Sequence, residues 1–192
     1  MKSKGKGIQL KLPSSESGFS MLEVIIAILT ITAFLTGTLQ LMAVNALYKV
    51  RAERQARANF WIQEDFESVK ALASSLDVNS SPANPNVSKD VCTGTEGYAT
   101  ALRRQLTNTP LPTTAIPTEK LVETRPIVGK KNYSLYRTFN ITNQSANPHR
   151  LRIDYQVKLA TDKTPKDYPN QENVIAESSV EVIPDASFKC PS

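Results

Sequence analysis

The fold is decided by residues 24–48, which read VIIAILTITAFLTGTLQLMAVNALY. These 25 consecutive residues contain no Asp, Glu, Lys or Arg. About 20 residues of this kind span the hydrocarbon core of a bilayer as one helix. The stretch is longer than the apolar region of about 7 to 15 residues in a secretory signal peptide, although cleavage after Ala46 stays an alternative. We therefore expect a membrane-spanning helix here.

The rest of the chain has the composition of a domain that folds in water. The 192 residues are 40% hydrophobic and 21% charged and include two cysteines, which argues against several membrane spans and against a disulfide-dense fold. The formal net charge of +5 is concentrated in residues 1–18, where four lysines accompany one glutamate. Little basic excess is left beyond that segment, which argues against nucleic acid as a partner.

The start of the apolar stretch carries a motif. Residues 18–28 read GFSMLEVIIAI and follow a lysine-rich polar segment. This pattern resembles the processing signal of type IV prepilins and pseudopilins. The resemblance implies that a prepilin peptidase cuts after Gly18 and methylates the new amine of Phe19. It also implies that Glu23 is the fifth-position glutamate that guides the docking of one subunit onto another.

Glu23 is the only acid at the start of the apolar stretch, and its partner has two interpretations. A carboxylate at the centre of a bilayer costs about 2.5 to 3.5 kcal/mol and less near the interface, so it needs water or a cation. The spacing from Ser20 to Glu23 is that of a capping box, in which the two residues satisfy free amides at a helix start. Alternatively, the partner is the new α-amino group of Phe19, in the same chain or a neighbouring one.

The resemblance also implies a location and partners. The precursor would cross the bacterial inner membrane once, with its N-terminus in the cytoplasm, and would then enter a periplasmic or extracellular filament. Its partners would be the prepilin peptidase, the pilus assembly platform and other pilin subunits. No proline occurs near residue 40, where many major pilins have a kink, which favours a minor pilin. The alternatives are a pseudopilin of a type II-like secretion system and a single-span anchored binding protein that does not polymerise.

We expect four segments along the chain. Residues 1–18 form a leader that is removed, and residues 19–76 form one helix about 85 Å long. Its first part, residues 19–48, suits lipid or a filament core, and residues 49–76 are amphipathic. A proline-rich region at 77–130 precedes an antiparallel sheet at 131–192. Two separate helices with a bend near Asn45 are the alternative.

The amphipathic half and the C-terminal strands predict a layered body. Apolar residues on one helix face are Ile62, Phe66, Val69, Ala73 and Leu76, while Asp65 is expected among the charged residues of the other faces. Residues 151–159 alternate between apolar and polar, which is typical of a half-buried strand. Further strands are expected at 133–141 and 174–183, more weakly at 120–128, and a short helix at 98–106. The fold class is therefore α+β and pilin-like, with the sheet packed on the helix.

Cys92 and Cys190 are the only cysteines. The resemblance places both outside the cytoplasm, where an even number of cysteines favours a disulfide. Such a bond would close a loop of about 100 residues and stabilise the chain by up to about 4.7 kcal/mol in the chain-entropy model. It would resemble the C-terminal disulfide region of many pilins. Two unpaired thiols are the alternative.

The sequence contains no pattern typical of catalysis. Its single histidine, His149, lies in a turn and is expected to be a solvated loop residue. No metal-ligand spacing, phosphate-binding loop or nucleophile motif is present, so we expect no metal, no cofactor and no enzymatic activity. The basic run from Lys49 to Arg57 has four possible roles: contact with lipid phosphates, with DNA, with acids of a neighbouring subunit, or simply with solvent.

Overall fold

The computed structural model describes residues 20–94, 96–127, 129, 131–164, 166 and 172–191. The chain divides into two units, residues 1–47 and residues 48–192. Its fold is α+β, as the sequence predicts, with a long helix packed against a four-stranded antiparallel sheet. The elements are α1 (Met21–Ser75), α2 (Tyr98–Thr107), β1 (Glu119–Pro126), β2 (Asn132–Asn140), β3 (Leu151–Leu159), β4 (Val174–Val182) and a terminal 3-10 helix (Asp185–Lys189).

Helix α1 is one element of 55 residues. It is helical at Asn45 as at the neighbouring residues, so two separate helices do not form. It begins two residues after the predicted start at Phe19, and Phe19 lies outside the described residues. The only glycine within it is Gly37, and no proline interrupts it.

The second half of α1 packs against the sheet through the face that the sequence predicts. Val69 and Leu76 are fully buried, Ile62 and Ala73 are almost so, and Phe66 is half-buried. The buried face is wider than predicted because Ala58 and Trp61 also belong to it. Other buried residues on this side of the helix are charged: Arg54 and Asp65.

The four strands form an antiparallel meander in the order β1, β2, β3, β4. Such a sheet has one apolar face to hide, and α1 covers it. The alternation predicted for residues 151–159 is confirmed in β3, whose Leu151, Ile153, Tyr155 and Val157 are all buried. Strand β1 lies inside the proline-rich range 77–130, so the sheet begins earlier than residue 131.

Strand β2 differs from its prediction at both its end and its middle. It ends at Asn140, and Ile141 beyond it is exposed instead of inward-facing. Arg137 lies midway between Leu135 and Phe139, which are buried in the core, so it belongs to the same face of the sheet as they do. A guanidinium therefore stands where the alternation places an apolar side chain.

Helix α2 and the loops around it complete the core. Every residue of α2 except Gln105 is buried. The backbone amide of Ala99 donates a hydrogen bond of 3.0 Å to the carbonyl of Pro148, in the turn between β2 and β3. Gly97 lies so close to Pro148 that a Cβ atom there would overlap its backbone carbonyl. Helix α2 and the residue before it therefore pack into the body.

Candidate membrane and assembly segment

The first half of α1 is apolar, and its side chains are exposed in the part of the chain that the structure describes. Every described residue from Met21 to Arg51 is exposed, and the ring of Phe34 is 75% accessible. This helix has the length and composition needed to cross a membrane. Contiguous apolar surface of this size marks a contact with lipid or with another protein. The segment is therefore compatible with a single-pass membrane anchor.

The threonine hydroxyls within this segment bond to the helix backbone. Hydroxyls of Thr30, Thr32 and Thr36 donate hydrogen bonds of 2.7 to 2.9 Å to backbone carbonyls four residues earlier. In a bilayer an unsatisfied polar group costs several kcal/mol, so such internal bonds make threonine tolerable there. The threonines therefore do not weaken the case for an anchor.

Glu23 lies in the first turn of α1. Its backbone amide contacts both the carbonyl of Ser20 (2.9 Å) and the Ser20 hydroxyl (3.4 Å), which is one arm of the predicted capping box. Among the described residues, its carboxylate has no ion-pair partner. Gly18 and Phe19, the predicted cleavage site and the predicted methylated residue, lie outside the described residues, as does the leader at 1–18.

Arg57 has polar partners within the body. Its guanidinium pairs with Glu53 at 2.7 Å and donates a hydrogen bond of 3.1 Å to the carbonyl of Ile127. The side chains of Lys49 and Arg51 are exposed, whereas Arg54 is buried. The run Lys49 to Arg57 is therefore not a uniform solvated helix face.

A buried ion pair joins α1 to the sheet. Arg137 donates two hydrogen bonds to the carboxylate of Asp65, at 2.7 Å from Nε and 2.5 Å from Nη2. The expectation that Asp65 belongs to the charged outer faces of α1 is wrong, because Arg137 on β2 requires an acid opposite it. Burial, and secondly the charge of Asp65, raise the pKa of the Tyr155 phenol well above its usual range. Its hydroxyl oxygen is buried beside the pair of Asp65 and Arg137, but among the described residues it forms no hydrogen bond of normal geometry.

The C-terminal end is bonded to the start of the loop region. A disulfide joins Cys92 and Cys190, whose Cα atoms are 5.1 Å apart. Next to it, the Lys189 ammonium lies 3.3 Å from the carboxylate of Asp77. The backbone amide of Asn79, and then Lys189, hold the pKa of Asp77 below its usual range.

His149 has a structural position and not the solvated one that the sequence suggests. Its Nδ1 accepts a hydrogen bond of 3.2 Å from the backbone amide of Tyr98, at the start of α2. The two rings lie 5.8 Å apart, and the histidine is half-buried. Within the described ranges, no three His, Cys, Asp or Glu side chains are grouped as a metal site would need.

Comparison with known proteins gives no relative. No family model, no curated protein and no solved structure matches this chain. Its function is therefore inferred from its own residues.

Proposed function

We propose that this chain is a minor type IV pilin, a structural subunit and not an enzyme. The observation that carries the proposal is the pairing of a fully exposed apolar helix segment with a single acid, Glu23, in its first turn. The motif at residues 18–28 supports the same function. A plain membrane anchor needs apolar residues only, whereas an acid within the apolar sequence is costly unless something pairs with it.

Assembly replaces one apolar environment by another. In the membrane, lipid covers the side chains of residues 24–48. In a filament, the same side chains pack against the helices of other subunits, so the net gain depends on packing and on polar pairing and not on removal from water. Contacts that repeat without closing a ring produce an open helical assembly. The body would then face outward.

Glu23 supplies the polar pairing in this proposal. Cleavage after Gly18 creates an α-amino group on Phe19, four residues before the acid. A cation and a carboxylate that meet in an apolar environment attract strongly, and either one alone is penalised there. Subunits would therefore settle where the amine of one chain and Glu23 of the same or a neighbouring chain lie together.

The mass of the mature chain tests the processing step. In cells with active prepilin peptidase, we expect a chain that begins at methylated Phe19. Gly18→Ala should leave the leader attached, while the matched control Gly37→Ala should be processed normally, since nothing lies within 4 Å of a Cβ added at Gly37. A native chain that still begins at Met1 would point to a single-span anchored protein, and one that begins at Leu47 would point to a secreted protein.

Incorporation into filaments tests the role of the acid. Glu23→Ala should be cleaved like the wild type but should enter filaments poorly, because the amine of Phe19 loses its partner. Glu53→Ala is a suitable control, since Glu53 is an exposed acid on the same helix that pairs within the body. Equal incorporation of all three chains would contradict the proposed pairing. A pseudopilin of a secretion system would pass the same tests but would support secretion instead of a surface pilus.

A further inference from the structure

Two arginines next to the apolar segment lack an acidic partner. Arg51 is exposed and Arg54 is 7% exposed, and neither forms an ion pair with any described residue. The Nε atom of Arg54 is buried without a hydrogen-bond acceptor. Arginine is rarely buried unless it is paired, because removing a charge from water is costly. The guanidinium of Arg54 therefore lacks the acceptor that a buried charged group needs.

The acids nearby do not complete it. Glu53 is the only acid between residues 49 and 57, and its carboxylate pairs with Arg57 at 2.7 Å. Asp65, the buried acid on the same helix, is bound by Arg137 through both of its oxygens. The partner of Arg54 must therefore be sought outside the described body.

The spacing of the two arginines brings them together. Residues three apart on a helix are neighbours, with about 5 to 6 Å between their Cβ atoms. Arg51 and Arg54 are such a pair, so their like charges repel unless an anion lies between them. Guanidinium groups bind phosphate oxygens through two parallel N–H bonds, which a single ammonium does not offer. The pair is suited to a phosphate group.

The position along the chain indicates where that phosphate comes from. The 25 uncharged residues at 24–48 exceed the roughly 20 that cross the hydrocarbon core, so the residues that follow them reach the headgroup layer. Basic residues just outside a membrane span attract anionic lipids, and basic pockets beside spans bind their headgroups. We propose that Arg51 and Arg54 together bind the phosphate of an anionic phospholipid while the chain is held in the membrane. This inference rests on the membrane anchor of the proposed function.

Lipid selectivity measured on the full chain tests the inference. The chain is reconstituted in phosphatidylcholine vesicles that contain trace spin-labelled phosphatidylglycerol or spin-labelled phosphatidylcholine. The fraction of motionally restricted label gives the relative association of the two lipids with the protein. We expect the wild type to favour phosphatidylglycerol. Arg51→Gln with Arg54→Gln should reduce that preference by up to about fivefold for each base removed.

The matched control changes the same number of charges elsewhere. Arg150 and Arg152 are also two nearby arginines, but each pairs with an acid, Glu181 at 3.4 Å and Asp154 at 3.2 Å. Replacing both by Gln should leave the lipid preference unchanged. An equal loss in both double variants would mean that only net charge matters, and this would overturn the inference. Thermal unfolding of each variant checks that the body is folded.

The remaining outcomes are equally decisive. Absence of a preference in the wild type would overturn the lipid site but leave the pilin proposal standing. Displacement of the labelled lipid by inorganic phosphate, at matched ionic strength, would assign the pair to a soluble phosphate instead. An Arg51→Gln, Arg54→Gln chain that keeps its lipid preference but fails to enter filaments would assign the pair to a carboxylate on a neighbouring subunit. Failure of the wild type to insert into any vesicle would remove both the anchor and the inference.

Discussion

Removing one partner of the buried pair of Asp65 and Arg137 should destabilise the chain more than breaking any other ion pair described in the body. Both side chains are close to fully buried, at 8% and 10% exposure, and two hydrogen bonds join them. Asp65→Ala leaves the guanidinium buried without either acceptor, and breaking such a pair costs about 3 to 5 kcal/mol. At about 3 °C for each kcal/mol, the melting temperature should fall by about 10 °C or more.

Fluorescence of Trp61 is the natural assay for this change. It is the only tryptophan of the chain, it is buried, and it lies one helical turn before Asp65. Thermal unfolding is followed on the full chain in detergent, with the disulfide intact. The control is Glu67→Ala, since Glu67 pairs with Lys70 on the exposed surface and such pairs contribute less than about 1 kcal/mol.

A double variant separates the charge from the packing. Asp65→Leu with Arg137→Met removes both charges, and replacing a buried pair by apolar residues of similar volume is often neutral or stabilising. Most of the lost stability should therefore return. A double variant as unstable as Asp65→Ala would show that the loss comes from packing. If Asp65→Ala melts within 3 °C of the wild type, the pair has no special role.

Three further changes have clear expected outcomes in the same melting assay. Tyr155→Phe removes a buried hydroxyl that forms no well-aligned hydrogen bond and should stabilise the chain by up to about 1 kcal/mol. Because its pKa is raised in the folded state, wild-type stability should also fall as the pH rises above about 10, more than in this variant. Reduction of the disulfide between Cys92 and Cys190 should cost up to about 4.7 kcal/mol, and an unchanged melt would show that the loop is not restrained by it. Gly97→Ala should destabilise the chain, since the new methyl group overlaps the backbone of Pro148, and a wild-type melt would contradict that contact.

The regular elements were predictable because each repeats one pattern over many residues. The alternation in β3 and the three-and-four spacing from Ile62 to Leu76 both follow from a single buried face. The uncharged stretch at 24–48 is longer than any soluble element requires. Element ends were less predictable, as Ile141 shows, because one apolar residue does not extend a strand.

The long-range polar contacts were not predictable from local patterns. Asp65 and Arg137 are 72 positions apart, and nothing near Asp65 distinguishes it from the exposed acids around it. A clue did exist on the sheet, since Arg137 alternates onto the same face of β2 as the core residues Leu135 and Phe139. An arginine in that place demands a buried acid, and α1 is the element that faces it. His149 was missed for the same reason, because its partner Tyr98 is distant in sequence.

The disulfide divides the chain into a part that tension can unravel and a part that it cannot. Helix α1 precedes Cys92 and lies outside the covalent ring, so only noncovalent contacts such as Asp65 with Arg137 attach it to the sheet. A pull on the N-terminal end would peel the helix away while the ring stays closed. The loop that the disulfide closes cannot be extended by such a pull. Its cysteines are 98 positions apart, and a chain of that length would be about 340 Å long when extended, at roughly 3.5 Å per residue. The extension that such a pull can release is therefore limited to the residues before Cys92.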